Sequence, residues 1–135
     1  MQNNESILIK NCIEKSERAL KSADNSINND DFDNAFNRIY YAIFYSVMAL
    51  GYKYSFVTSK HVQLMGWFNK KFIYEDKIFP IEMYEIYKVA FDNRQESDYN
   101  LLLLDKINKQ EAILTLEKAN IFLNNVKSHL LNIQG

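Results

Sequence analysis

The stretch "RQESDY", residues 94–99, holds an arginine, an acid four positions later and a tyrosine five positions later. A guanidinium presents a fixed fork of donors that matches phosphate or carboxylate oxygens. A carboxylate at i+4 can orient that fork, and a phenol can donate a hydrogen bond or stack on another ring. On a continuing helix Arg94 and Asp98 share a face, and the plain alternative is an exposed ion pair worth about 0–1 kcal/mol. Tyr99 lies roughly 140° around an ideal helix from Arg94, so the two act together only if the helix ends or distorts between them.

Two other stretches carry chemistry. "TSKHVQ" (58–63) puts Lys60 and His61 behind a Thr or Ser cap, beside the free N–H groups of a helix start, where a phosphate can sit. An ordinary N-cap with a solvated lysine explains the same spacing. "RIYYAIFYS" (38–46) joins Arg38 to Tyr40, Tyr41 and Tyr45. Aromatic residues at helical spacing are usually core, but a buried Arg38 must find anionic or carbonyl partners. Other chemistries find little support. His61 and His129 are the only histidines and Cys12 the only thiol, so no zinc site is expected, and no cofactor. Neither a Gly-rich phosphate loop nor a G-x-S-x-G elbow is present.

The elements that must position these residues read as helices. Ile9, Ile13, Ser16, Leu20, Ala23 and Ile27 fall on one face of a first helix over roughly 5–28. Ala112, Leu116, Ala119, Leu123, Val126 and Leu130 do the same for a last helix over roughly 109–132. The polar break "NNDDFDN" (28–34) supplies turn residues, with Asp31 or Asp33 to cap a second helix that Gly51 can end. That second helix is apolar almost all round, which makes it the buried central one. Thr58 or Ser59 can cap a third helix through "KHVQLMGWFNKKFI", "YEDKIF" reads as a loop, and Pro80 suits the first turn of a fourth helix to about Asn93 or slightly beyond. "LLLL" (101–104) joins it to the last helix. Three glycines and one proline leave little material for the turns of a β fold. The expected architecture is an all-α, up-and-down helical bundle of about five helices, one domain spanning 1–135.

Charge is unevenly spread. Residues 34–74 contain no Asp or Glu but carry Arg38, Lys53, Lys60, Lys70 and Lys71, while the flanking segments are each net −3. Such a segment is suited to an anion-facing surface, unless its five cations are scattered in space. The lone Cys12 points to a reducing compartment. The N-terminus lacks the pattern of a signal peptide, and the longest apolar run, 39–50, is too short to span a bilayer. A cytoplasmic location without membrane contact is expected.

Together "RIYYAIFYSVMALG", "SKHVQLMGWF" and "DNRQESDYN" resemble, in order and approximate spacing, the small bacterial and archaeal HEPN (higher eukaryotes and prokaryotes nucleotide-binding) proteins. The similar members carry a "YYAMFHAA"-like helix, an "SKxHxG"-like segment and an "RQxADY"-like motif. The resemblance covers about residues 30–125. It implies a helical bundle, usually a homodimer with the Arg motif near the interface. It also implies nucleotide or RNA binding, often in a toxin–antitoxin or defence pair with a minimal nucleotidyltransferase as partner. Many such proteins are metal-independent ribonucleases whose motif is Arg, a polar residue and a later His.

Arg94 and Gln95 match that motif, and Tyr99 takes the place of the His. With an ordinary pKa of about 10, Tyr99 is a poor base but can donate to phosphate or stack. Tyr45 replaces a second family His, and His61 matches the His of the "SKxHxG"-like segment. The resemblance therefore implies a centre of Arg94, Asp98 and Tyr99, with Arg38, Tyr41, Lys60, His61 and Gln95 as nucleotide- or RNA-binding residues. Binding with a partner ranks ahead of ribonuclease activity, and a ligand-free protein adaptor ranks third.

Overall fold

The computed structural model describes residues 3–99 and 105–132, without the side chains of 96–99 and 105–107. Five α-helices make up this part: α1 (Asn4–Asn28), α2 (Phe32–Lys53), α3 (His61–Phe68), α4 (Ile81–Tyr99) and α5 (Asp105–Asn132). No strand occurs among the described residues. The chain is an all-α bundle, as its periodicity predicts.

α1 and α2 form a tight antiparallel hairpin. Asn3 caps α1 by accepting from the Ser6 N–H at 2.8 Å. Asp30, at φ 57°, reverses the chain, and Asp31 accepts from the Asn34 N–H to begin α2. Ala19, Ala23, Ala35, Ala42 and Ala49 are all buried and bring helices close. Ser16 sits on the apolar stripe because its hydroxyl donates to the Ala42 carbonyl at 2.5 Å, so no polar atom is stranded there. Asn34 donates to the Ser26 hydroxyl at 2.6 Å at the closed end of the hairpin.

α2 is the axis of the bundle and touches α1, α3, α4 and α5. α4 and α5 are antiparallel: Asn93 donates to Glu111 at 3.1 Å near one end, and Asn125 donates to the Met83 sulfur at 3.2 Å near the other. The core between α2, α3 and these two contains Ile39, Val47, Leu50, Phe68, Phe72, Phe122 and Val126. The expected stripes of α1 and α5 are buried, apart from the partly buried Ile13 and Leu116.

Three boundaries depart from the sequence reading. Gly51 does not end α2, which runs to Lys53. The Phe56 carbonyl approaches so closely that a Cβ at position 51 would collide with it, and the Phe56 N–H donates back to the Gly51 carbonyl at 2.8 Å. The reversal itself falls at Ser55, φ 60°. Second, α3 runs on into a π-helical stretch, Asn69–Glu75, which takes in part of the expected "YEDKIF" loop. Third, α4 begins just after Pro80 and reaches Tyr99, six residues past Asn93, against an expected end at about Asn93 or slightly beyond. The join 101–104 lies outside the described residues. No described helix is long and apolar enough to cross a membrane.

Candidate functional site

Three helices converge around His61. It is the first residue of α3, delivered there by the connection from the end of α2. The Tyr40 hydroxyl lies 2.7 Å from its Nδ1. One turn further along α2, the Phe44 ring stacks on the imidazole at 4.3 Å and 16°. Tyr41 meets it edge-on at 5.7 Å, and Phe91 of α4 packs against Tyr40 at 5.8 Å. This aromatic wall removes water, and that desolvation, with the nearby Arg94 charge, pulls the His61 pKa below its ordinary value. Burial pushes the fully buried Tyr40 hydroxyl upward, against the opposing pull of Arg94, so it stays protonated.

Arg94 comes from α4, one turn beyond Phe91. Its Cζ lies 5.3 Å from the Tyr40 ring and 5.4 Å from the Tyr41 ring, within the range of cation–π attraction. Its Nε is buried and has no hydrogen-bond partner among the described residues. Arg38 reaches the same Tyr41 ring, with Cζ at 5.3 Å, and donates from Nε and an Nη to the Asn37 side-chain Oδ1 at 3.2 and 3.0 Å. Two guanidinium groups thus share one tyrosine beside a neutral imidazole. The arrangement has the parts that an anion site with a proton carrier needs: fork donors, a ring and a histidine. With Nδ1–H donating to the Tyr40 oxygen, Nε2 keeps a free lone pair; in the other tautomer the Tyr40 hydroxyl donates and Nε2 carries the proton.

The structure brings together Arg38, Tyr41, His61 and Arg94. Gln95 is exposed. Lys60 is the N-cap residue of α3 but supplies no side-chain cap, and its own N–H donates to the Thr58 hydroxyl at 3.1 Å. The expected Thr58 or Ser59 cap on the helix is therefore replaced by a turn one step upstream. The Asp98 and Tyr99 side chains lie outside the described residues; the α4 backbone continues helically through both, keeping positions 94 and 99 about 140° apart. The acid-free segment does not form one cationic face. Lys53 pairs with Glu5 at 3.9 Å and Lys71 with Asp76 at 2.9 Å, both acids from outside it. No group of three or more metal-ligating residues occurs among the described residues.

Tyr40 is the member the sequence did not single out. It reads as core, and it is core. Only its hydroxyl, meeting a histidine 21 residues away, is functional in form. A second pair of the same kind joins the end of α2 to the end of α5: the Tyr54 hydroxyl is 2.7 Å from His129 Nε2.

By this fold and by its sequence, the chain belongs to the HEPN domain family, whose profile matches residues 9–129. It is 36% identical over 120 residues to a Methanocaldococcus jannaschii protein named "Putative toxin MJ0142", covering 89% of this chain and 80% of that one. It is also 33% identical over 89 residues to a "UPF0332 protein" of Thermotoga maritima, covering 66% of this chain and 67% of that protein.

Proposed function

We propose that this chain is the HEPN half of a toxin–antitoxin or defence pair, and that it binds RNA or a nucleotide through phosphate at the Arg94 centre. The observation that carries this reading is the Arg94 guanidinium, held between two tyrosine rings with a buried Nε that no described residue satisfies. A guanidinium nitrogen buried without a hydrogen-bond partner is costly, and a ligand phosphate would relieve it. Arg38 adds a second cation at Tyr41. Asp98, four residues along the same helical face, belongs to the proposal as the residue that orients Arg94, whereas Tyr99, set about 140° away by the continuing helix, is left out of it. Exposed Lys60 and Gln95 would add outer contacts. The likeness to a protein named as a toxin supports the biological setting. A homodimer and a minimal nucleotidyltransferase partner are part of the same proposal. Sedimentation of the pure chain and co-purification with the neighbouring gene product test them.

One observation favours a second reading, a metal-independent ribonuclease. His61 is held neutral near pH 7 beside Arg94. Its Nε2 would take the proton from a ribose 2′-OH as that oxygen attacks the adjacent phosphorus. Arg94 would neutralise the charge growing on the phosphate oxygens, and the 5′-oxygen would leave with a proton from water or from the imidazolium. Binding and cleavage of RNA in EDTA, compared for wild type, Arg94→Ala and His61→Gln, separate the readings. Binding lost with Arg94, without cleavage, supports the first. Cleavage lost in both variants supports the second, and wild-type behaviour in both variants sinks the Arg94 centre.

A further inference from the structure

α2 has one face that is neither core nor fully solvated. Arg38, Tyr41, Tyr45, Met48 and Tyr52 recur at spacings of three, four, three and four, and each is partly buried. At 1.5 Å per residue the row is about 21 Å long. Tyr41 is its link to the centre, because both Arg94 and Arg38 pack on that ring. The Tyr41 and Tyr45 rings lie 5.8 Å apart at 40°, and Lys15 of α1 places its Nζ 5.7 Å from the Tyr45 ring.

α1 keeps its acids on one side, where Lys10 and Lys21 accompany them, and only cations on the other. Glu5, Glu14 and Glu17 line the groove between α1 and α5, and Asp24 lines the groove beside it. The groove between α1 and α2 contains Lys15 and Arg18 with Tyr45 and Tyr52, and no acid is among its lining residues. Neither Lys15 nor Arg18 is ion-paired among the described residues. Aromatic faces interleaved with unpaired cations, and no acid, are what a flexible polyanion with stackable bases requires. A second copy of this chain fits poorly here. A two-fold contact on this face would gather the Lys15, Arg18 and Arg38 charges of both copies in one acid-free patch.

We infer that the α1–α2 groove is a track for single-stranded RNA leading away from the Arg94 centre. In it, bases stack on Tyr45 and Tyr52, and phosphates lie against Arg38, Lys15 and Arg18. The inference rests on the reading of Arg94 as a phosphate site and extends it in length. A single nucleotide engages the centre alone, whereas a longer strand also fills the groove.

The test compares uridine monophosphate with an oligouridylate of roughly eight nucleotides by calorimetry on the full chain. Wild type is expected to bind the longer strand at least about tenfold more tightly. Lys15→Glu/Arg18→Glu, both exposed positions, and Tyr45→Ala should remove most of that gain while leaving monophosphate affinity unchanged. In the charge-reversal pair, the salt slope for the oligomer should fall by about 0.7 for each phosphate that no longer meets a cation. Lys10→Glu, on the opposite groove, should change neither. If Tyr45→Ala unfolds the chain, the charge-reversal pair alone decides. A length gain that survives the charge reversal overturns the track. So does a wild type without any length gain, and so does a loss that coincides with a change from dimer to monomer in sedimentation. Arg94→Ala weakening both ligands supports the centre independently, and failure of wild type to bind either one removes the centre and the track together.

Discussion

Two tyrosine–histidine pairs sit in this bundle with nearly the same local geometry, each under a cation that is partnered differently. Tyr40–His61 and Tyr54–His129 each have a 2.7 Å hydrogen bond, and burial lowers the pKa of both imidazoles. Both are ringed by aromatics: Phe44 and Tyr41 around His61, Phe72 and Phe79 around His129. Each tyrosine also has a cation over its ring, Arg94 in one case and Lys71, at 4.9 Å, in the other. The difference is what the cation does next. Lys71 gives its charge to Asp76 at 2.9 Å, whereas the Arg94 Nε is left buried without a described partner. Among the described residues, the same motif is a closed clasp where an acid balances the cation, and an open one where none does.

The largest expected effect comes from breaking the open clasp. Arg94→Ala should weaken RNA or nucleotide binding by about ten- to a hundredfold, since a charged hydrogen bond contributes roughly 1.5–3 kcal/mol. Lys71→Ala should leave that affinity unchanged. Both are read from a binding isotherm at fixed salt, and equal effects would erase the distinction between the clasps.

Next in size are the hydroxyl deletions. Tyr54→Phe and Tyr40→Phe should each destabilise the fold by about 1 kcal/mol in urea denaturation, because each leaves an imidazole nitrogen without its partner. Only Tyr40→Phe should also alter ligand binding. A smaller effect appears with pH. Both histidines have folded pKa values below the ordinary 6.5, so the unfolded chain binds more protons as pH falls past that value. Stability should therefore be full above about pH 6.5 and decline below it. His61→Gln/His129→Gln should flatten the decline in denaturation midpoints measured between those conditions. The smallest and most discriminating effect is a titration shift. In Arg94→Ala the His61 pKa, followed by NMR, should rise toward its ordinary value while that of His129 stays put.

Much of this contrast is hidden in the sequence for identifiable reasons. The helices are legible because Ile9 through Ile27 and Ala112 through Leu130 repeat at 3.6-residue spacing and bury what that spacing says they bury. Arg94, Arg38, Tyr41 and His61 are legible through motif resemblance, and the structure places them together. Tyr40 is not, because on a helix apolar all round a buried tyrosine carries no mark of where its hydroxyl goes. The π-helical stretch Asn69–Glu75 is seven residues long, too short for a changed period to show. The acid-free segment suggests one cationic face because sequence cannot reveal that Glu5 and Asp76 return to neutralise part of it.

Gly51 gives the fold a lesson for anyone who would redesign it. By helix propensity alone, replacing a glycine inside α2 with alanine should gain about 1 kcal/mol. Here the Phe56 carbonyl occupies the space that a methyl group needs, and four residues separate Phe56 from His61. An optimiser that scores helices one residue at a time would choose this change. It would push away the stretch of chain that delivers the imidazole to Tyr40, and so trade the Tyr40–His61 contact for a better helix.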